Sequence, residues 1–267
     1  MKWTDESIAA FWERWSTSPA TEGEYFTLEV GAGVGVFLAQ AVRLRGARVL
    51  DFGCGPGFLI QHLLRAGARV AGADASPHSV RRAAERYGGL PGWEGAFEIR
   101  GGTAPVGERS FDGVCCIETV EHVPPESLAG LVAEVARVLA PGGWALFTTP
   151  NEENLSRSMV FCPACGEEFH KVQHLTSWTA GSLSSLLSAG GLDVRFCRAI
   201  DLGRFQEPAR RPPRHWSAAY LFRRAQRSTA RLADRLWPRP FPAGRFLAVC
   251  GAPGPHLVAL AAKPGPR

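Results

Sequence analysis

Residues 49–57 read Val-Leu-Asp-Phe-Gly-Cys-Gly-Pro-Gly, an apolar run that passes directly into a turn with glycine at 53, 55 and 57. No other stretch constrains the fold as strongly. An unbroken apolar run suits a strand buried on both faces. Glycines at alternate positions suit a backbone that takes positive φ and lets a ligand come close. Seventeen residues after Gly57 a second apolar run, Arg69 to Ala73, ends in Asp74. Strand, glycine turn, helix and a second strand with a terminal acid form a βαβ half-unit for a nucleotide-like ligand. In such a unit Gly53, Gly55 and Gly57 line the pocket, and the helix opening near Gly57 points its N-terminus at an anionic group. Asp51 holds the turn or a ligand amine, and Asp74 accepts hydrogen bonds from two ribose hydroxyls. Gly31-Ala32-Gly33-Val34-Gly35 is also glycine-rich, with Asp51 about 20 residues beyond it as a dinucleotide fingerprint asks. However, no strand precedes it and Phe37 to Val42 continue as helix, so a helix packing over the pocket is expected there.

The alternation continues along the chain. Helices are expected at 5–15 and 25–45, followed by strand 48–53, helix 57–66, strand 69–74, helix 77–87, strands 96–100 and 111–118, helix 125–139 and strand 143–149. Pro141-Gly142-Gly143 marks the turn into the last of these. After Pro150 the pattern breaks for about 25 residues, then resumes with a helix at 179–189 and a strand at 192–199. The apolar run His256 to Ala262 supplies a final strand. Strands alternating with helices imply an α/β fold, a mostly parallel sheet covered on both faces. A hydrophobic fraction of 45% is ample for such a core. There is no apolar run of about 18 residues to span a bilayer, and the first residues lack a signal-peptide pattern. Seven cysteines, two of them the adjacent Cys115 and Cys116 on an expected buried strand, fit a reducing compartment better than a disulfide framework. A cytoplasmic setting is expected, with peripheral membrane contact as an extension.

The form D-x-G-C-G-x-G at 51–57, followed by Phe111-Asp112-Gly113-Val114-Cys115-Cys116-Ile117-Glu118-Thr119-Val120-Glu121-His122-Val123-Pro124 and then Pro141-Gly142-Gly143, resembles the class I methyltransferases that use S-adenosylmethionine (SAM). Within them it is similar to the ubiquinone-biosynthesis O-methyltransferase group. The resemblance is good over about 47–150, loose over 177–199 and slight elsewhere. It implies a Rossmann-like, seven-stranded, mostly parallel sheet with helices on both faces. Residues 1–45 then cover the SAM pocket and 46–267 form the methyltransferase domain, interrupted by insertions at 151–176 and 203–254. It further implies that Asp51, Gly53, Gly55, Gly57, Asp74, Ala75 and Ile117 contact SAM. The acid that often follows the third strand is replaced by Gly101-Gly102-Thr103, so Thr103 or the backbone must meet the adenine. The E-x-x-E-H pattern, Glu118, Glu121 and His122, implies a catalytic set able to hold a divalent ion such as Mg²⁺ that activates a hydroxyl. Read from the residues alone, the set either converges on one cation, or places His122 against substrate as a base, or simply orients the strand-to-helix loop.

The insertion after Pro150 carries Cys162-Pro163-Ala164-Cys165-Gly166, then His170 and His174. C-x2-C-x4-H-x3-H offers four N/S ligands suited to tetrahedral Zn²⁺, so Cys162, Cys165, His170 and His174 are the expected structural zinc site of a lid. The alternative is a lid loop in which the cysteine pair is coincidental.

Charge is uneven. Residues 203–245 hold eleven arginines against Glu207 and Asp234, a local +9 in a chain of net +5, which leaves −4 on the remainder. An amphipathic helix is expected at 216–237, with Leu221, Phe222 and Leu236 on one face and Arg224, Arg227, Arg231 and Arg235 on the other. It suits packing on the domain, an anionic membrane surface or, less well, RNA phosphates. The function expected is methyl transfer from SAM to a small-molecule or lipid-linked acceptor, with a hydroxyl oxygen favoured. An RNA methyltransferase and a non-catalytic SAM-binding protein are the competing readings.

Overall fold

The computed structural model describes residues 3–205 and 254–265. The basic helix expected at 216–237 lies outside the described residues. Two helices lead the chain, α1 (Asp5–Thr17) and α2 (Phe26–Ala41). The sheet comprises β1 (Arg48–Phe52), β2 (Arg69–Asp74), β3 (Trp93–Glu98), β4 (Phe111–Ile117), β5 (Leu139–Pro150), β8 (Asp193–Ile200) and β9 (His256–Ala262). Their order is β3-β2-β1-β4-β5-β9-β8. The first five are parallel, and β9 runs antiparallel between β5 and β8. This is the seven-stranded, mostly parallel sheet that the alternating pattern and the resemblance imply.

Period-two alternation sorts side chains onto two cores. Val49, Val70, Cys115, Leu146 and Leu260 face α2, α3 (Ile60–Arg65) and α4 (Pro77–Tyr87). Leu50, Ala71, Val114, Phe147 and Leu257 face α5 (Leu128–Val138) and α6 (Ala180–Ala189). Burying each large apolar side chain contributes about 1.5–3 kcal/mol. Helix starts are set by short polar residues that take up free backbone N–H groups. Thr4 and Thr179 form capping boxes with Ser7 and Ser182, and Ser76 caps α4 with Pro77 behind it.

Several boundaries differ from expectation, among them the end of α2 at Ala41 and the start of β5 at Leu139. The helix after the glycine turn begins at Ile60 and not at Gly57. The third strand ends at Glu98, two residues before the expected end. Residues 125–127 form a separate 3-10 turn before α5. The role of α2 also needs correcting. Only Tyr25, Phe26 and Thr27 at its start reach the cleft, while its body packs on the sheet and α3. Gly35 lets it approach α3, where a Cβ would lie 3.0 Å from His62 Cβ, and Gly33 lets it approach the turn after β8, where a Cβ would lie 2.1 Å from the Leu202 carbonyl oxygen.

After β5 the chain forms a small hairpin, β6 (Met159–Phe161) with β7 (Glu168–His170). Ile200, where β8 ends, pairs with His256, where β9 begins, beside Pro150 of β5. The stretch between β8 and β9 is therefore rooted at the carboxyl edge of the sheet. No helix among the described residues is long and apolar enough to cross a membrane.

Candidate active site

A cavity of about 1140 Å³ opens at that carboxyl edge. Sites for one small ligand run roughly 300–1,000 Å³, so this one has room for a cofactor and an acceptor. Asp51, Gly53, Gly55, Asp74, Ala75, Thr103, Ile117, Glu118, His122 and His174 are on its walls. Gly57 is not. It packs against Tyr87, whose hydroxyl donates to its carbonyl at 2.6 Å, so its expected ligand contact is corrected to a role in supporting the loop.

The cofactor end is held by backbone hydrogen bonds. Gly53 has φ +78°, and a Cβ there would meet Thr119 Oγ1 at 2.5 Å, so both conformation and space demand glycine. The amides of Gly53 and Cys54 donate to the Ala73 carbonyl. Asp74 ties the loop to the second strand by accepting Gly55 N–H on Oδ2 and Ser76 N–H on Oδ1, each at 2.8 Å. Burial pushes its carboxyl up, while those two amides oppose the shift. Beside it Asp51 is 2% exposed, and its Oδ2 has no hydrogen-bond partner. Burial, then the charge of Asp74, raises Asp51 to about 8. A ligand ammonium would satisfy that oxygen. Glu98 also reaches the cavity, in register with Asp74. The third strand thus does end in an acid, which the late strand boundary drawn from the sequence concealed.

The roof is α1, part of the segment 1–45 expected over the pocket. Ile8, Trp12 and Trp15 face the cavity. Glu13 docks the helix by accepting from Ser76 Oγ at 2.6 Å and from His78 N–H at 3.1 Å. Trp12 Nε1–H donates to Gln173 Oε1 at 2.8 Å, and Gln173 Nε2 donates to the His122 carbonyl at 2.9 Å. The Trp12 ring stands edge-on to His122, with centroids 4.6 Å apart.

The wall built from the loop after β4 and the insertion after β5 is rich in titratable groups. Glu118, at φ +46°, accepts from the Thr148 hydroxyl at 2.8 Å. Burial pushes its carboxyl up. Glu121 is fully buried; its oxygens and the Thr149 hydroxyl make no hydrogen bond of good geometry among the described residues, although Thr149 lies close enough to oppose the rise of its carboxyl. Burial, then the charge of Glu118, raises Glu121 well above the usual carboxylate range. His122 Nε2 lies 3.9 Å from Glu121 Oε1, and Nδ1 faces the Gln173 carbonyl at 3.4 Å. Burial, then His174, lowers His122 to about 3, so its ring is neutral.

The expected four-ligand zinc site is not assembled. Cys162 N–H donates to the Glu167 carbonyl and Gly166 N–H to the Cys162 carbonyl, which places the cysteines at the hairpin tip. There the Cys165 and Ala164 amides lower the Cys162 thiol, as in a knuckle turn. His170, however, pairs with Met159, three residues from the tip. At about 3.3 Å per residue that is roughly 10 Å away. Its ring stacks on His174, with centroids 4.7 Å apart, and both rings turn to Glu153. Among the described residues two groups place ligand atoms within 4.8 Å of one another, Glu121–His122–His174 and Glu153–His170–His174, and neither includes a cysteine. Glu153 and Gln173 carried no sequence signal, because their partners are distant along the chain.

Comparison with known proteins identifies the fold and the family. A family model described as a methyltransferase domain matches residues 36–195. The ubiquinone biosynthesis O-methyltransferase of Paracidovorax citrulli is 39% identical over 110 residues, which are 40% of this chain and 45% of that protein. Its counterpart in Bordetella avium is 37% identical over 114 residues, 40% and 44% of the two chains. The matched region is thus under half the length of these relatives. Among solved structures, 1,6-didemethyltoxoflavin-N1-methyltransferase of Burkholderia thailandensis, bound to 1,6-didemethyltoxoflavin and S-adenosylhomocysteine, superposes with a TM-score of 0.62 at 17% identity, over 99% of this chain and 92% of that one. A complex of DhpI with S-adenosylhomocysteine (SAH) gives 0.59 at 20% identity, over 98% of each.

Proposed function

The chain belongs to the methyltransferase-domain family and is a SAM-dependent methyltransferase, and from that premise we propose that it methylates a hydroxyl oxygen of a small acceptor. The observation that carries the proposal is a single cavity joining two walls. Gly53, Gly55 and Asp74 line it from the glycine loop and β2, and Glu118, His122 and His174 from the loop after β4 and the insertion after β5. Asp74 has lone pairs free for the ribose diol, and Asp51 offers its unpartnered oxygen to the ammonium of SAM. Trp12 and Trp15 roof the space between, which favours a planar acceptor. The transfer is an in-line displacement from a sulfonium that is already electrophilic, so alignment and deprotonation are what the protein must supply.

A divalent ion implied by the resemblance fits the chemistry of this wall. Glu121 has both oxygens free, and the rings of His122 and His174 are within reach. When bound, such an ion would lower the pKa of the acceptor hydroxyl. The protein itself orients the acceptor and keeps His122 neutral, with its Nε2 toward Glu121. Peripheral membrane contact, and with it a lipid-linked acceptor, depends on segment 203–254, most of which lies outside the described residues. Co-sedimentation with anionic and neutral vesicles at low and high salt tests that part, and absence of binding to both removes it.

The main test is turnover of methyl-labelled SAM with a panel of phenols, catechols, their amine counterparts and total RNA. Label on oxygen of a small phenol or catechol is expected. Label confined to amines or RNA would overturn the choice of acceptor, and the RNA outcome would assign the arginines of 203–245 to phosphate contacts.

A further inference from the structure

The E-x-x-E-H resemblance implies an oxygen-rich site of Glu118, Glu121 and His122, but hydrogen-bond donors and acceptors around this wall select a different set. Imidazole binds a metal through a lone pair, and its other nitrogen then bears a hydrogen that needs an acceptor. His122 meets this condition. The Gln173 carbonyl can only accept, so Nδ1 carries the hydrogen and Nε2 presents its lone pair toward Glu121. His174 meets it too. Its Nδ1 engages the Glu153 carboxylate, leaving Nε2 with the lone pair. The third member, Glu121, is a fully buried carboxylate with two unpartnered oxygens. Glu118 is already engaged by the Thr148 hydroxyl and belongs to neither convergent group.

The neighbouring group fails the same condition. His170 Nδ1 accepts the His174 backbone N–H at 3.1 Å, so its hydrogen is on Nε2, facing Glu153 Oε1 at 3.5 Å. A metal on Nε2 would force that hydrogen onto Nδ1, against the amide. Glu153 is therefore a clamp between two imidazole N–H groups and not a ligand.

We infer that Glu121, His122 and His174 form a binding site for a nitrogen-preferring divalent transition ion such as Zn²⁺ or Co²⁺, with Glu153 and Gln173 as positioning residues and Glu118 outside the ligand set. Two imidazoles and one carboxylate suit such ions, whereas Mg²⁺ prefers oxygen donors and retained water. Three protein ligands leave a coordination position open, and His122 and His174 both face the cavity where the acceptor hydroxyl would enter. The inference depends on the methyl-transfer reading only for what the ion does, since binding can be measured without an acceptor.

The test is a titration of chelator-treated full-length protein with Co²⁺, followed by its visible absorption, and with Zn²⁺ and Mg²⁺ by calorimetry, each repeated with Cys162→Ser/Cys165→Ser. One Co²⁺ or Zn²⁺ per chain is expected with the cysteines replaced, without a thiolate charge-transfer band and undisturbed by millimolar Mg²⁺. His174→Ala and Glu121→Gln should each weaken binding at least 100-fold, and Glu118→Gln less than threefold. Loss of an orienting partner typically costs about 10–100-fold. Glu153→Ala should therefore fall in that range, while Glu153→Gln, whose amide oxygen still accepts from Nδ1–H, should recover most of the affinity. SAH binding by each variant checks the fold. Binding lost with the cysteines, binding lost in Glu118→Gln but kept in His174→Ala, tighter binding of Mg²⁺, or no binding of any ion would each overturn the inference. In the last case, continued methylation of a hydroxyl would leave the proposed function standing. Ion binding as described without transfer to any hydroxyl would do the reverse.

Discussion

Replacing Asp74 by asparagine separates two things that this carboxylate does. In the wild type each oxygen accepts one backbone amide at 2.8 Å, from Gly55 and from Ser76. Asparagine has nearly the same shape but one oxygen and one NH2 group. Whichever way it turns, one of the two amides faces a second donor. Losing a hydrogen bond to a charged group costs about 1.5–3 kcal/mol. Burial disfavours the Asp74 charge, and the neutral amide removes that burden, so the stability loss should fall near the lower limit, about 1.5 kcal/mol. Ligand binding has no such relief. A ribose diol can donate to both oxygens of the aspartate and to only one of the asparagine. The same range, about 1.5–3 kcal/mol, becomes a roughly 10- to 150-fold weaker Kd at 1.4 kcal/mol per decade. Urea denaturation should report the first effect and calorimetric titration with SAH the second. If Asp74→Asn folds normally and binds SAH within twofold of wild type, Asp74 does not hold the ribose and the cofactor is oriented differently in this cavity.

Two further outcomes follow from the same geometry. Asp51, raised to about 8, is protonated in the free protein at pH 5–7; if the ammonium of SAM pairs with its carboxylate, the complex holds fewer protons, so affinity should rise with pH across this interval, by up to about tenfold per unit, with proton release visible by calorimetry in buffers of different ionisation enthalpy and abolished in Asp51→Asn. Equal heats in all buffers would remove Asp51 from the ammonium site. Trp12→Ala removes the donor to Gln173, a buried residue, at a cost of about 1–3 kcal/mol for the stranded oxygen, and should speed SAH release in stopped-flow fluorescence and raise the acceptor KM more than it changes kcat; an unchanged release rate would mean that α1 does not roof the cleft.

Much of the cofactor end was legible in the chain because its determinants are contiguous. The glycine turn, the strand before it and the acid 17 residues beyond it are positioned by local backbone geometry, and Gly53 at φ +78° is dictated by its own turn. Ser76 and Thr179, whose hydroxyls cap the helix that begins at the next residue, act as locally. Period-two alternation in the strands sorts their side chains onto the two cores. Locality also explains the misplaced boundaries. Trp93-Glu94-Gly95 lacks a strong apolar pattern, so β3 was drawn late and its terminal Glu98 was missed.

The acceptor end was decided by tertiary packing. C-x2-C-x4-H-x3-H correctly located a turn with two thiols, but spacing along the chain does not determine where a side chain points once a hairpin forms. Pairing with Met159 carries His170 away from the tip, and its ring turns to Glu153. His122 and His174 are 52 residues apart, and they meet because Gln173 links the post-β5 insertion to the loop after β4 and to Trp12 of the first helix. None of these contacts has a sequence signature, since each depends on three distant segments packing together. The chain by itself therefore determined which cofactor this protein binds, through backbone conformations that a few adjacent residues dictate. The tertiary fold decided which imidazoles and carboxylates meet after β4 and β5, because long-range packing alone sets those distances.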